Sequence, residues 1–211
     1  MLLLSVIAIS ALIGLAAGGR IQSFARLRIR YAWIPVALFV LQKLIVELPI
    51  VKATTASFMA PALLAASYGA LVLFLLVNLS VPGIKLVLIG LVLNLTVMLA
   101  NGGYMPVTRE GLERTGHADR IVVRDELALV KGSKSIVLEP EGTRLYLMSD
   151  IFRVPEPYPF ATNFSLGDIA ITAGVAVMVL RTMLNETEAD TGRKVTRRER
   201  RRIERKGELD A

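Results

Sequence analysis

Cysteine is missing from this chain of 211 residues, and histidine and tryptophan each occur once. Without cysteine the chain can form no disulfide, no thiolate metal site and no cysteine nucleophile. The motifs HExxH and GxSxG and a glycine-rich phosphate loop are absent too. We therefore assign no catalytic, cofactor-binding or metal-binding residue from motifs, and we expect no cofactor.

Apolar residues are abundant instead, at 54% of the chain, with a mean hydropathy of +0.55. These values are too high for a soluble globule of this length. A membrane-spanning helix needs about 20 apolar residues to cross roughly 30 Å of hydrocarbon. Five stretches approach that length: residues 1–18, 31–51, 58–79, 84–100 and 164–180. The sequence thus predicts an all-α integral membrane bundle of five transmembrane helices.

A polar segment separates the fourth and fifth stretches, and we expect it to form a small extracytoplasmic domain. Thr108 is a predicted N-cap of a short helix that ends at Gly116, and Ser165 with Asp168 forms a capping box that opens the last helix. Three short runs in the segment are typical of strands, namely residues 121–123, 135–138 and 144–148. The predicted organisation is four helices in 1–100, the outer domain in 101–163, the fifth helix in 164–181 and a basic tail in 182–211.

Orientation follows from the positions of Lys and Arg. The bend at residues 19–30 carries four arginines and no acid, and residues 181–206 carry ten Lys or Arg. Short loops rich in Lys and Arg stay in the cytoplasm. We therefore predict a multi-pass protein of the bacterial cytoplasmic (plasma) membrane, with the N-terminus outside and the C-terminus inside.

The basic tail also indicates which partners to expect. Residues 193–206 contain nine basic side chains, which suit anionic lipid headgroups at the bilayer surface. No aromatic side chains alternate with them to stack on bases, which argues against nucleic acid as a partner. The expected partners are the lipid bilayer, anionic headgroups at the basic loop and tail, and another membrane protein.

The second apolar stretch is the weakest, because it contains Gln42, Lys43 and Glu47. Lys43 and Glu47 are four residues apart, so they can neutralise each other on one helix face. A transport role is the alternative interpretation, since ionisable groups in a membrane often mark a functional site. Gln42, Asn78 and Asn94 can form hydrogen bonds between helices.

The outer segment offers a second set of candidates. His117, Asp150 and Asp168 could together bind a divalent metal or carry out acid–base chemistry. We favour the structural interpretation, which assigns Asp168 to the capping box, lets Asp150 either pair with Arg144 or cap the next turn, and leaves His117 in solvent. Asn101 ends the fourth helix and completes the set of candidate polar positions.

Several short motifs occur in a distinctive order around this segment. They are Asn101 to Val107 (NGGYMPV), His117, Thr143-Arg144-Leu145, Ser149-Asp150-Ile151 and Phe164 to Ile169 (FSLGDI). This arrangement resembles the bacterial domain-of-unknown-function 5317 family of small polytopic membrane proteins. It departs from that pattern at Ser149, where glycine is expected. The resemblance implies a membrane location, and it supplies neither an activity nor a catalytic residue.

Two functions are compatible with these features. The first is a non-enzymatic structural or accessory membrane protein that engages another membrane protein or an assembly. The second is a small-molecule or ion transporter, or a membrane-embedded enzyme, that uses the intramembrane Lys and Glu and the outer Asp and His residues. Five spans without a clear internal repeat favour the first function.

Overall fold

A computed structural model describes residues 2–47, 59–124, 127–155 and 161–184. The helices are α1 (Leu2–Ala16), α2 (Trp33–Glu47), α3 (Met59–Leu76), α4 (Ile84–Ala100), α5 (Arg109–Arg114) and α6 (Leu166–Leu184). The strands are β1 (Met105–Val107), β2 (Ile121–Arg124), β3 (Leu127–Val130), β4 (Ser135–Val137), β5 (Phe152–Val154) and β6 (Thr162–Phe164). The described residues therefore form a mostly helical fold with a small sheet region, which lies between α4 and α6 in the chain.

The apolar stretches contain helices of two kinds. By length and composition, α3 and α6 are long and apolar enough to cross a membrane. The three others, α1, α2 and α4, are shorter apolar helices. Most of the predicted basic tail, residues 185–211, lies outside the described residues.

Glycines allow α4 and α6 to approach each other closely. A Cβ atom at Gly90 would lie 2.8 Å from the backbone nitrogen of Ile171, and one at Gly174 would lie 2.7 Å from the carbonyl oxygen of Gly83. Gly83 and Gly90 thus face Gly174 and Gly167 respectively, so the two helices run antiparallel. Small residues let helix backbones meet without a side chain between them, which increases van der Waals contact.

The arginine-rich bend at residues 19–30 is joined to the ends of other helices by backbone and side-chain amide hydrogen bonds. The Asn78 side chain, in the turn after α3, accepts a hydrogen bond from the Arg30 N–H at 2.8 Å and donates one to the Arg30 carbonyl at 3.1 Å. The Arg20 N–H donates to the Met183 carbonyl near the end of α6 at 3.3 Å. The arginine-rich bend therefore lies beside both the α3–α4 turn and the C-terminal end of α6.

The segment between α4 and α6 folds around a four-stranded sheet with the order β1-β4-β3-β2. Strands β1 and β4 are parallel, and the other neighbours are antiparallel. Met105 of β1 is fully buried in the same apolar core as Leu64 of α3 and Met98 of α4. The sheet is therefore attached to the helices through β1.

The strand predictions need correction. Strands β2 and β4 match the predicted runs, but residues 144–148 are not a strand, because Tyr146 to Met148 form a 3₁₀ turn closed by the Met148 N–H and the Leu145 carbonyl. Strands β1, β3, β5 and β6 were not predicted, and the fold is not all-α. Two other local predictions are confirmed: Thr108 caps α5, accepting a hydrogen bond from the Gly111 N–H, and the Ser165–Asp168 capping box opens α6. Helix α5 ends at Arg114, two residues before the predicted Gly116.

We expect Gly90→Ala to lower the free energy of unfolding in mild detergent by about 1–3 kcal/mol, because the added methyl group meets the α6 backbone. Gly69→Ala is the matched control. A Cβ at Gly69, in α3, meets nothing within 4 Å, so this change should leave stability unchanged or raise it by up to about 1 kcal/mol. Equal unfolding curves for the two variants would contradict the close approach of α4 and α6.

Candidate functional site

A group of polar side chains lies where α3, α4 and α6 meet the sheet. We call it the polar cluster, and its members are Tyr68, Asn94, Lys134, Asp150, Ser165 and Asp168. The helices contribute Tyr68, Asn94 and Asp168, whereas Lys134 directly precedes β4 and Asp150 follows the 3₁₀ turn. The cluster thus joins the helices to the segment between α4 and α6.

The first half of the cluster links α4 to α6. The fully buried Asn94 side chain donates a hydrogen bond to Asp168 Oδ1 at 3.0 Å and accepts one from Ser165 Oγ at 2.8 Å. Asp168 Oδ2 accepts from the Ser165 N–H at 3.0 Å, and Ser165 Oγ accepts from the Asp168 N–H at 3.0 Å. The side-chain amide of Asn94 therefore connects α4 to the capping box of α6.

The second half of the cluster is formed by Lys134 and Tyr68. The Lys134 Nζ donates a hydrogen bond to Tyr68 Oη and lies 4.6 Å from the centre of the Tyr68 ring. Tyr68 is itself buried in the apolar core, so Lys134 fixes the β3–β4 hairpin to the middle of α3.

Asp150 completes the cluster from the side of β1. Its N–H donates to the Pro106 carbonyl at 3.1 Å, and it forms an isolated parallel bridge with Val107. Burial and the nearby charge of Asp168 raise the pKa of Asp150 to about 7, although Lys134 acts in the opposite direction. Asp150 therefore changes its charge near neutral pH.

Lys134 remains charged in this setting. Burial alone would lower the pKa of its ammonium, but Tyr68, Asp168 and Asp150 together raise it above its ordinary value. Two carboxylates thus face one ammonium. With Asp150 ionised the cluster has one negative charge in excess, and with Asp150 protonated it is neutral. The arrangement can take up and release one proton.

Two other predicted positions have structural roles. Gln42 Nε2 donates to Ser67 Oγ at 2.9 Å, which links α2 to α3 as expected. The Asn101 amide donates to the Arg144 carbonyl at 2.9 Å and accepts from the Arg144 N–H at 3.0 Å. The pairing of Lys43 with Glu47 stays a prediction, because the Glu47 side chain lies outside the described residues.

The grouping of His117 with the two aspartates, which a metal site or acid–base chemistry would need, does not form among the described residues. His117 Nδ1 lies 3.3 Å from Thr115 Oγ1, which also accepts a hydrogen bond from Asn163 Nδ2 at 3.1 Å. Across the described ranges, no three His, Asp or Glu side chains are grouped as a metal site requires. The expected partner of Asp150 is corrected too: Arg144 joins Asn101 through its backbone, and the cation that acts on Asp150 is Lys134.

Comparison with known proteins identifies a family and no activity. The profile of the Family of unknown function (DUF5317) matches residues 26–180. The chain belongs to this family. The DUF5317 match covers α2 to α4, the sheet and nearly all of α6, so every member of the polar cluster lies within it, whereas α1 lies outside. No curated protein and no solved structure matches the chain.

Sequence reasoning missed Lys134 and Tyr68. Their sequence separation of 66 residues leaves no local pattern, and Lys134 occurs in a polar stretch with Lys131 where a charged residue is ordinary. The glycines did leave a signal. Gly83, which directly precedes α4, lies seven residues before Gly90, and Gly167 and Gly174 on α6 have the same spacing, which places that pair on one helix face.

We expect the stability of this DUF5317 protein to fall as pH rises from about 4 to 7. The pKa of Asp150 is raised from 3.8 to about 7, so the folded state binds its proton more tightly and loses that advantage as pH rises through this window. Asp150→Asn should remove this dependence on pH, which changes the free energy of unfolding by at most about 4 kcal/mol between pH 4 and 7. Glu113→Gln removes an exposed carboxylate and should leave the dependence unchanged. A curve of unfolding free energy against pH for Asp150→Asn that parallels the wild type would refute this assignment.

Proposed function

We propose that the chain is a multi-pass protein of the cytoplasmic membrane in which all five apolar helices lie in lipid. The supporting observation is the exposure of large apolar side chains along them, such as Leu73, which is 66% exposed. Contiguous exposed apolar surface is rare on soluble monomers and typical of membrane or protein contacts. The shorter helices α1, α2 and α4 can span with local thinning of the bilayer.

The contacts at the helix ends support the predicted orientation. The arginine-rich bend contacts both the α3–α4 turn, through Asn78, and the end of α6, through Met183. The bend and the start of the basic tail are therefore neighbours, and the sheet lies at the other end of α4. This matches the bias of Lys and Arg toward the cytoplasmic side, with the sheet outside.

The function we favour is an accessory role, in which the protein engages another membrane protein rather than catalysing a reaction. Two observations support it. The polar groups of the cluster largely bind one another, which is what a structural network requires. In addition, α1 exposes apolar side chains around most of its circumference and buries Ser10 and Gly14, and it lies outside the family match. We propose that α1 contributes the partner-binding surface.

A transporter or membrane-embedded enzyme is the second candidate. The excess carboxylate of Asp150 favours it, because buried groups that titrate near neutral pH are frequent in functional sites. The cluster, rather than Lys43 and Glu47, would then be its centre. This candidate would be favoured over the first if Asp150→Asn abolished a cellular phenotype of the wild-type protein while the protein level and partner binding stayed unchanged.

Topology is tested with reporter fusions that are active on only one side of the membrane. We expect a cytoplasmic reporter to be active after Ala211 and inactive when inserted at Gly132, in the exposed β3–β4 turn, because the two sites lie on opposite sides. An exported reporter should give the reverse pattern. The same side for both sites would contradict the five-span arrangement.

Partner binding is tested by purification in mild detergent, followed by identification of co-purifying membrane proteins. The partner should be lost when Leu4 and Leu12, which are exposed on α1, are replaced by Trp, because bulk there blocks helix contact. The same replacement of Leu73 and Leu76 on α3 is the control and should retain the partner. A monomer without a partner, or equal loss in both variants, would contradict the accessory role of α1.

A further inference from the structure

The turn at residues 144–148 has an unusual backbone. Leu145 adopts a left-handed conformation, with φ 56° and ψ 41°. A leucine in this region has an energetic cost of about 1–2 kcal/mol, because its Cβ crowds the following carbonyl group. Contacts with neighbouring residues must therefore stabilise this conformation of the turn.

Asn101 at the end of α4 stabilises this conformation through hydrogen bonds. Its side-chain amide binds both the N–H and the carbonyl of Arg144, and it also donates to the Val97 carbonyl at 2.8 Å. Met148, the last residue of the turn, packs against the apolar core of the helices. The turn is thus fixed to the C-terminal end of α4 at its start and to the apolar core at its end.

The fixed turn directs apolar side chains outward. Leu147 is 71% exposed, Leu145 is also exposed, and the basic Arg144 beside them is exposed as well. Leu99, in the last turn of α4, is exposed two residues before Asn101. Exposed apolar side chains thus extend to the last turn of α4, and the turn at residues 144–148 presents two more, beside a basic side chain, at the level where α4 ends.

We propose that residues 144–148 form an interfacial anchor. Leu145 and Leu147 insert at the boundary between acyl chains and headgroups of the outer leaflet, and Arg144 binds lipid phosphate. Lipid fits this surface because Asn101 fixes the turn at the level where the proposed membrane helix α4 ends, and because basic side chains extend to phosphates at this depth. The anchor holds the sheet against the membrane surface and rests on the proposed membrane location.

The test uses the single tryptophan of the chain, Trp33. In a Trp33→Phe background, Leu147→Trp places one fluorophore on the turn, and its exposed position should accept the larger ring. The protein is reconstituted into phosphatidylcholine vesicles, with and without lipids brominated near the headgroup end of an acyl chain. We expect brominated lipid to quench the fluorescence and the emission maximum to be blue-shifted.

The matched control is Val123→Trp in the same background. Val123 is 73% exposed on β2, the sheet edge farthest from β1, and this tryptophan should be quenched by aqueous iodide and not by brominated lipid. The unmodified protein tests the membrane location itself, because Trp33 is exposed on α2. Quenching of Trp33 by brominated lipid without quenching at position 147 would overturn the anchor alone. No lipid quenching at either position would overturn both the anchor and the membrane location.

Discussion

The close antiparallel contact of α4 and α6 is the constraint on which the rest of this structure depends. Glycines at the contact remove the side chains that would keep the backbones apart. Asn94 then lies one turn beyond Gly90 and reaches the capping box of α6. An amide in this position satisfies the polar atoms of a helix end that would otherwise be buried without partners. The helix interface and the start of α6 are therefore one unit.

The sheet is attached to this unit by charge as well as by apolar contact. Lys134 binds Tyr68 in the core of the helices, and its ammonium acts on both Asp150 and Asp168. A buried group of charges stabilises a fold only when it is nearly neutral, because each unpaired charge costs several kcal/mol. Asp150 supplies one carboxylate more than Lys134 can balance, and its pKa is raised by burial first and by the nearby charge of Asp168 second. The same excess makes Asp150 the most chemically responsive group of the cluster.

The sequence allowed prediction of the features that local chemistry determines. The helices follow from apolar runs, and Thr108 and Ser165 begin helices because their hydroxyl groups accept N–H donors that lack partners. Features that depend on distant residues were not predictable in this way. The contact of Lys134 with Tyr68 requires the tertiary fold. From the sequence alone Pro106 argues against a strand at β1, and that strand is recognised only from its pairing with β4 in the folded protein. The grouping of His117 with Asp150 and Asp168, which was the alternative to ordinary structural roles, does not form, and His117 lies beside Thr115 instead.

The Asn94–Asp168 hydrogen bond couples α4 to α6 where both helices meet the sheet. A double-mutant cycle with Asn94→Ala, Asp168→Ala and the double variant measures this coupling directly, from unfolding free energies in mild detergent. We predict a coupling energy of about 1 kcal/mol, in the range found for hydrogen bonds between helices in membrane proteins. Additive effects of the two substitutions, within about 0.3 kcal/mol, would show that this hydrogen bond does not couple the two helices.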